Sequence, residues 1–154
     1  MKASFEKELS SNRRAYHNYE ILETFEAGIL LLGSEIKSLR NQGGNIQDGY
    51  VLVSDNSAWL KNVSITPYRF TSYFSHEERR DRKLLLHKRE LKQLKNLSQE
   101  KGLTIIPLAL YLKGGRAKVK IGVAKGKKLH DKRASIRARE ETRKMDQALK
   151  RNYR

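Results

Sequence analysis

Arg116, Lys118 and Lys120 stand at alternate positions, and Ala117, Val119, Ile121 and Val123 occupy the positions between and beyond them. On an extended strand this spacing points the three cations to one side and the apolar residues to the other. A row of cations can bind phosphate oxygens or simply face solvent. Like charges so placed repel one another, and no acid in the same segment relieves them, which favours an anion-binding face. The run from Lys125 to Arg133, KGKKLHDKR, begins where this strand ends. Its Lys125, Lys127, Lys128, Lys132 and Arg133 suit phosphate contact. His130 could stack on a base, donate to a phosphate or simply be an exposed histidine, and Asp131 lies among the cations. Tyr16, Tyr19, Tyr50 and Tyr68 could stack on unpaired bases, although each taken singly reads as a core or rim residue.

Catalytic chemistry finds no comparable support. The four histidines, His17, His76, His87 and His130, show no metal-ligand spacing. His76-Glu77-Glu78 could hold a metal but reads as solvated side chains in a charged loop. There is no nucleophile elbow, phosphate-binding loop or dinucleotide fingerprint. With no cysteine, the chain has neither disulfides nor thiolate chemistry. The expectation is a protein that is not an enzyme, with no cofactor and no metal.

Lys and Arg number 33 against 17 Asp and Glu, a formal net charge of +16 over 154 residues. Residues 113–154 hold 16 of the cations and only four acids, so a nearly balanced body carries a strongly basic arm. Self-repulsion on this scale calls for a polyanionic partner. No apolar run approaches a membrane span, and no secretory signal is visible near Met1. A soluble, cytoplasmic chain with no membrane partner is expected.

The elements that must carry these residues are short. Residues 1–14 read as a flexible lead-in. Tyr19 to Leu32 reads as two short strands or one bent strand, with Gly28 as a bulge or barrel corner. Ser34 is placed to cap a short helix over Ser34–Asn41, stopped by Gly43-Gly44. Strands are expected over Asn45–Val53 and Ala58–Ile65, joined by Ser54-Asp55-Asn56-Ser57. A polar loop from Phe70 to Lys83 then leads to a helix over Leu84–Glu100, with Gly102 as its cap. Leu103–Lys113 and Arg116–Ala124 form a hairpin about Gly114-Gly115, and Pro107 demands an edge or a bulge. The fold class is mainly β: a small antiparallel OB-like β-barrel with flanking α-helices over residues 15–124. The basic C-terminal tail, 125–154, has little apolar face and is expected to be disordered when free.

In order along the chain, Asn12-Arg13-Arg14-Ala15-Tyr16-His17 with Tyr19, Phe25-Glu26-Ala27-Gly28-Ile29, GSEIKSLR (Gly33–Arg40), Asn45-Ile46 and Asp48-Gly49-Tyr50 are similar to the small protein B (SmpB) family. Ile65-Thr66-Pro67-Tyr68, RKLLLHKRE (Arg82–Glu90) and KVKIGVAKGKKLHDKR (Lys118–Arg133) continue the resemblance, which spans about residues 12–140. Asn18 stands where the family usually has an acid, and Ser34 where it has Thr or a bulkier residue. The resemblance implies binding to the tRNA-like domain of transfer-messenger RNA (tmRNA), with the protein replacing a missing anticodon arm. It implies delivery, with elongation factor Tu acting through tmRNA, to the A site of a stalled ribosome for trans-translation. The family's RNA contacts fall on Asn12, Glu26, Leu85 and Lys118. Its tail motifs fall on Lys125–Lys128, His130 and Asp131–Arg133, the segment that enters the decoding centre and the mRNA channel. Phosphates lining such a channel would neutralise the tail's cations, so the tail is expected to become helical on ribosomes. A ribosomal or ribosome-assembly protein is the alternative on composition alone, and a ribonuclease a more distant one.

Overall fold

The alternation in the last two strands and the glycine pair between them produce the longest pairing in the molecule. A computed structural model describes residues 6–68 and 75–153. In it β8 (Leu103–Lys113) and β9 (Arg116–Gly126) form an antiparallel hairpin. Gly114 and Gly115 turn it with φ of 58° and 76°, values that a side chain disfavours. Val119, Ile121 and Val123 point inward and are almost fully buried. Each such aliphatic side chain contributes about 1.5–3 kcal/mol on burial.

β2 (Tyr19–Ile29) pairs with β9 along nearly its whole length and carries its bulge near Leu22, not at Gly28. It is one strand. Gly28 instead pairs with Lys118 on one side and Leu85 on the other. A Cβ at Gly28 would lie 3.2 Å from that of Leu85, so the glycine leaves room for the leucine. Pro107 is accommodated at a bulge between Pro107 and Ala109 in β8, an interior strand.

β1 (Glu6–Ser11) pairs with β8, so residues 6–11 are an edge strand and not part of a flexible lead-in. A short helix α1 (Arg13–Asn18) follows directly. Helix α2 (Gly33–Gln42) begins one residue before Ser34, and its cap is Leu32, whose N–H donates to Glu35 Oε1 at 2.9 Å. β3 (Gly44–Asn45) pairs with β6 (Ser64–Ile65), while β4 (Tyr50–Val53) pairs with β5 (Ala58–Lys61) across the Ser54–Ser57 turn.

The segment around Leu84 differs most from expectation. Arg82–Leu85 is a strand, β7, inserted between β2 and β5, and helix α3 covers only Lys88–Ser98. Leu84 therefore belongs to the sheet, whereas Leu91, Leu94 and Leu97 form the helix stripe against the core. The cap of α3 is Gln99, and Gly102 serves the next turn with φ of 80°. Residues 70–74 of the expected polar loop lie outside the described residues, and its last two residues, Arg82 and Lys83, are in β7.

The large sheet has seven strands in the order β1-β8-β9-β2-β7-β5-β4, with β1 and β4 at its ends. Among the described residues it does not close by hydrogen bonds into a barrel. The fold is a mainly antiparallel β sheet with flanking helices. β9 continues to Gly126, past the expected boundary at Ala124, and α4 (Leu129–Asn152) follows.

Candidate nucleic-acid interface

Strand pairing determines which side chains accompany the cations of β9. Arg116 lies opposite Lys113, Lys118 opposite Tyr111, and Lys120 opposite Ala109 on β8; on β2, Lys118 meets Gly28 and Lys120 meets Glu26. Relief from repulsion, absent within β9 itself, comes from this neighbouring strand. The Glu26 carboxylate accepts a hydrogen bond from the Tyr111 hydroxyl and lies 3.4 Å from Lys113 Nζ. The Tyr111 hydroxyl does most to hold the Glu26 carboxyl below the usual carboxylate range, slight burial opposes it, and Lys113 and Lys118 lower it further. Glu26 is thus an ionised acceptor that fixes a tyrosine and a lysine beside the cation row. Sequence reading missed Tyr111 and Lys113. The alternation of Ala109, Tyr111 and Lys113 along β8 was the available signal.

Two open clefts flank this row. The first, about 670 Å³, brings Glu26, Leu85, Arg116 and Lys118 together, with Leu30 and Ile36 among its apolar lining. Leu85 is half exposed. The second, about 600 Å³, holds Lys120 with Glu26, Tyr16 and Tyr111. Apolar floor, cations and a fixed acceptor suit an unpaired nucleotide. Five of the six expected RNA-contact residues therefore line these two adjoining clefts.

Asn12, the sixth, is placed differently. It is buried, its Oδ1 accepts from the Ala15 N–H at 3.2 Å, and its Nδ2 donates to the Pro107 carbonyl at 3.0 Å. It caps α1 against the β8 bulge and so positions the exposed Arg13, Arg14 and Tyr16.

The tail residues do not share the clefts. Lys125 is exposed near the end of β9, Lys128 caps α4, and His130, Asp131, Lys132 and Arg133 lie in the first turns of that helix. Lys127 is engaged: its Nζ donates to the Tyr16 carbonyl at 3.1 Å and to Ser135 Oγ at 2.9 Å, and its N–H donates to the Asn18 carbonyl. Arg139 Nη2 lies 3.1 Å from His17 Nδ1. These bonds join the start of α4 to α1.

A second polar cluster centres on Glu35 and Arg82, both fully buried, with Arg80 partly exposed at its edge. Arg82 Nε donates to Glu35 Oε2 at 2.5 Å, and Arg82 also donates to the carbonyls of Val63, Arg80 and Glu78. Arg80 Nη2 reaches the other Glu35 oxygen at 2.5 Å. Burial opposes the charge on Glu35, yet donation from Arg80, the Leu32 N–H and Arg82 together holds its carboxyl below the usual range. His76, expected to be solvated, is buried. It donates from Nε2 to the Ile65 carbonyl at 2.8 Å, which leaves Nδ1 to accept from the Ser34 hydroxyl at 3.0 Å. No cluster of metal-ligating side chains occurs among the described residues, and no helix there is long and apolar enough to cross a membrane.

The fold and clefts define a small antiparallel β protein that presents cations, an apolar floor and a basic helix to a polyanion. The chain belongs to the SmpB family, whose model, described as SmpB protein, matches residues 9–151. It is 60% identical over 143 residues to the SsrA-binding protein of Protochlamydia amoebophila, covering 93% of this chain and 94% of that one. It is 57% identical over 148 residues to the SsrA-binding protein of Chlamydia muridarum, covering 96% and 98%. A chain in a solved structure described as "tmRNA-SmpB: a journey to the center of the bacterial ribosome" is 48% identical, with a TM-score of 0.67, covering 78% of this chain and 85% of that one.

Proposed function

We propose that this chain binds the SsrA RNA, also called tmRNA, through its tRNA-like domain and carries it to the A site of stalled ribosomes. The observation that carries this reading is the meeting of Glu26, Leu85, Arg116 and Lys118, from three strands, in one cleft. The body binds by shape, phosphate contact and stacking, and takes the place of an anticodon arm. The sheet acts as a partly open OB-like barrel, a reading supported by β4, at one end of the sheet, lying against β8 near the other. The tail from Lys125, with His130 and the Asp131-Lys132-Arg133 group, enters the decoding centre and vacant mRNA channel. Elongation factor Tu acts through the RNA. The role is non-catalytic and, because it is performed on ribosomes, cytoplasmic.

Titration of SsrA RNA against Lys118→Glu over a series of salt concentrations tests the reading. Removing one lysine–phosphate pairing lowers the slope of log K against log salt by about 0.7–0.9. Weaker binding with a shallower slope is expected. An unaltered affinity and slope would make this face solvated surface only.

A further inference from the structure

Beyond the two clefts, the outward side of β4, β5 and β7 carries side chains that the proposed SsrA contact does not use. Register places Leu52 opposite Trp59, and Trp59 opposite Lys83, so these three stand abreast on one row. The adjoining row pairs Tyr50 with Lys61, and Lys61 forms a 3.3 Å ion pair with Asp81. Tyr50, Leu52 and Trp59 are 41%, 49% and 36% exposed, so two aromatic rings and a leucine meet water side by side. Contiguous apolar exposure of this kind marks an interaction surface.

Its composition selects the partner. Aromatic rings alternate with cations, the arrangement that reads unpaired bases while holding their phosphates. The Lys61 charge is balanced by Asp81, whereas Lys83 is exposed and forms no ion pair among the described residues. The indole is also held in place: Trp59 Nε1 donates to Ser57 Oγ at 3.2 Å, and that hydroxyl lies 2.7 Å from Ser54 Oγ across the turn. A ring fixed this way needs no rearrangement to stack. An open cleft of about 420 Å³ lies against it, lined by Leu52, Val53, Trp59, Lys61 and Asp81 among others. Strand β7 runs from this patch to the first cleft, with Lys83 in one and Leu85 in the other.

We infer that Trp59, with Leu52 beside it and Lys83 next to it, forms a second RNA contact that stacks an unpaired base and holds its phosphate. This rests on the reading that the chain binds RNA, but on residues separate from the Lys118 cleft. Trp59 is the sole tryptophan, so its emission reports on this patch alone.

The full chain is titrated with a short single-stranded oligoribonucleotide and with SsrA RNA, following Trp59 emission and, separately, filter binding. Quenching that weakens with salt and in Lys83→Ala is expected. Trp59→Leu keeps an apolar partner for Leu52; checked for an unchanged melt, it should bind the oligoribonucleotide about 5- to 150-fold more weakly, the loss of one stack. Lys118→Glu should bind SsrA RNA more weakly yet retain quenching by the oligoribonucleotide. If SsrA RNA binding depends on Lys118 while emission stays constant and Trp59→Leu binds like the parent, the second contact is overturned and the first stands. Quenching with no effect of Lys118→Glu supports the second contact and removes the first. A response to RNA-free ribosomal proteins with none to RNA would assign the patch to a protein partner and also overturn the inference.

Discussion

Glu35 and Arg82 are both fully removed from solvent, and their pairing joins α2 to β7, the strand that carries Lys83 and Leu85. Arg82 also satisfies three backbone carbonyls, so the carboxylate and guanidinium are embedded in a network. Removing one charge leaves the other buried without compensation, and Glu35→Gln is expected to lower unfolding stability by about 3–5 kcal/mol in urea melts. The pH dependence follows from the direction of the shift. A folded carboxyl held below its unfolded value contributes stability that is fully present above the unfolded value and is lost as pH falls through the folded one. The gap between the parent and Glu35→Gln should therefore be constant near neutrality and narrow only below about pH 4, the ordinary glutamate range. A gap that stays constant down to about pH 3, well below the ordinary glutamate value, would deny the carboxylate this role. Little of this was legible in the sequence. The helix around Glu35 showed only Ile36, Leu39 and Arg40 at helical spacing, and a buried ion pair depends on a partner on a distant strand. Lys118 was legible because the side of the strand it occupies follows from local alternation.

At the scale of elements, the same contrast separates β8 and β9 from β7. The hairpin is written locally, in a period of two and a Gly-Gly turn, and its limits fall within two residues of those expected. Arg82–Leu85 is a strand only because β2 and β5 lie on either side of it. Read alone, Leu84 falls in phase with Leu91, and the helix pattern absorbs it. The end of β9 shows how element limits shape an experiment. Gly126 still pairs with Tyr19, and the Lys127 N–H donates to Asn18, so a cut after Ala124 would damage the sheet. A chain ending at Lys128 keeps these bonds. It is expected to bind SsrA RNA within a few-fold of the full chain in low salt, since the β9 clefts are intact, and to fail in peptide tagging on stalled ribosomes. Full tagging by this truncated chain would remove the tail from the mechanism.

For the whole molecule, the packed body and the outer part of α4 differ sharply in burial. The body buries a core between sheet and helices, whereas from Ile136 onward every described residue of α4 is exposed. The 24 residues of α4 would extend about 36 Å. Beyond Arg139, near His17, no hydrogen bond or ion pair ties α4 to the body among the described residues. Met145 and Leu149, the large apolar residues of its outer half, are 69% and 57% exposed. Such a helix is held by its own backbone alone, and an isolated helix of this length is marginal in water because nucleation is unfavourable. Spacings such as Glu140 to Lys144 and Asp146 to Lys150 contribute only about 0.2–0.5 kcal/mol each. Neighbouring cations oppose them. The free chain should therefore open this half of α4 readily, and phosphate neutralisation along an RNA-walled channel should close it. In amide exchange, residues 140–152 of the isolated protein are expected to exchange almost unprotected while Val119 and Ile121 remain slow. The same tail amides should become protected when the protein and SsrA RNA are bound to stalled ribosomes. Protection of residues 140–152 in the free protein matching that of β9 would establish a preformed helix and exclude folding on entry.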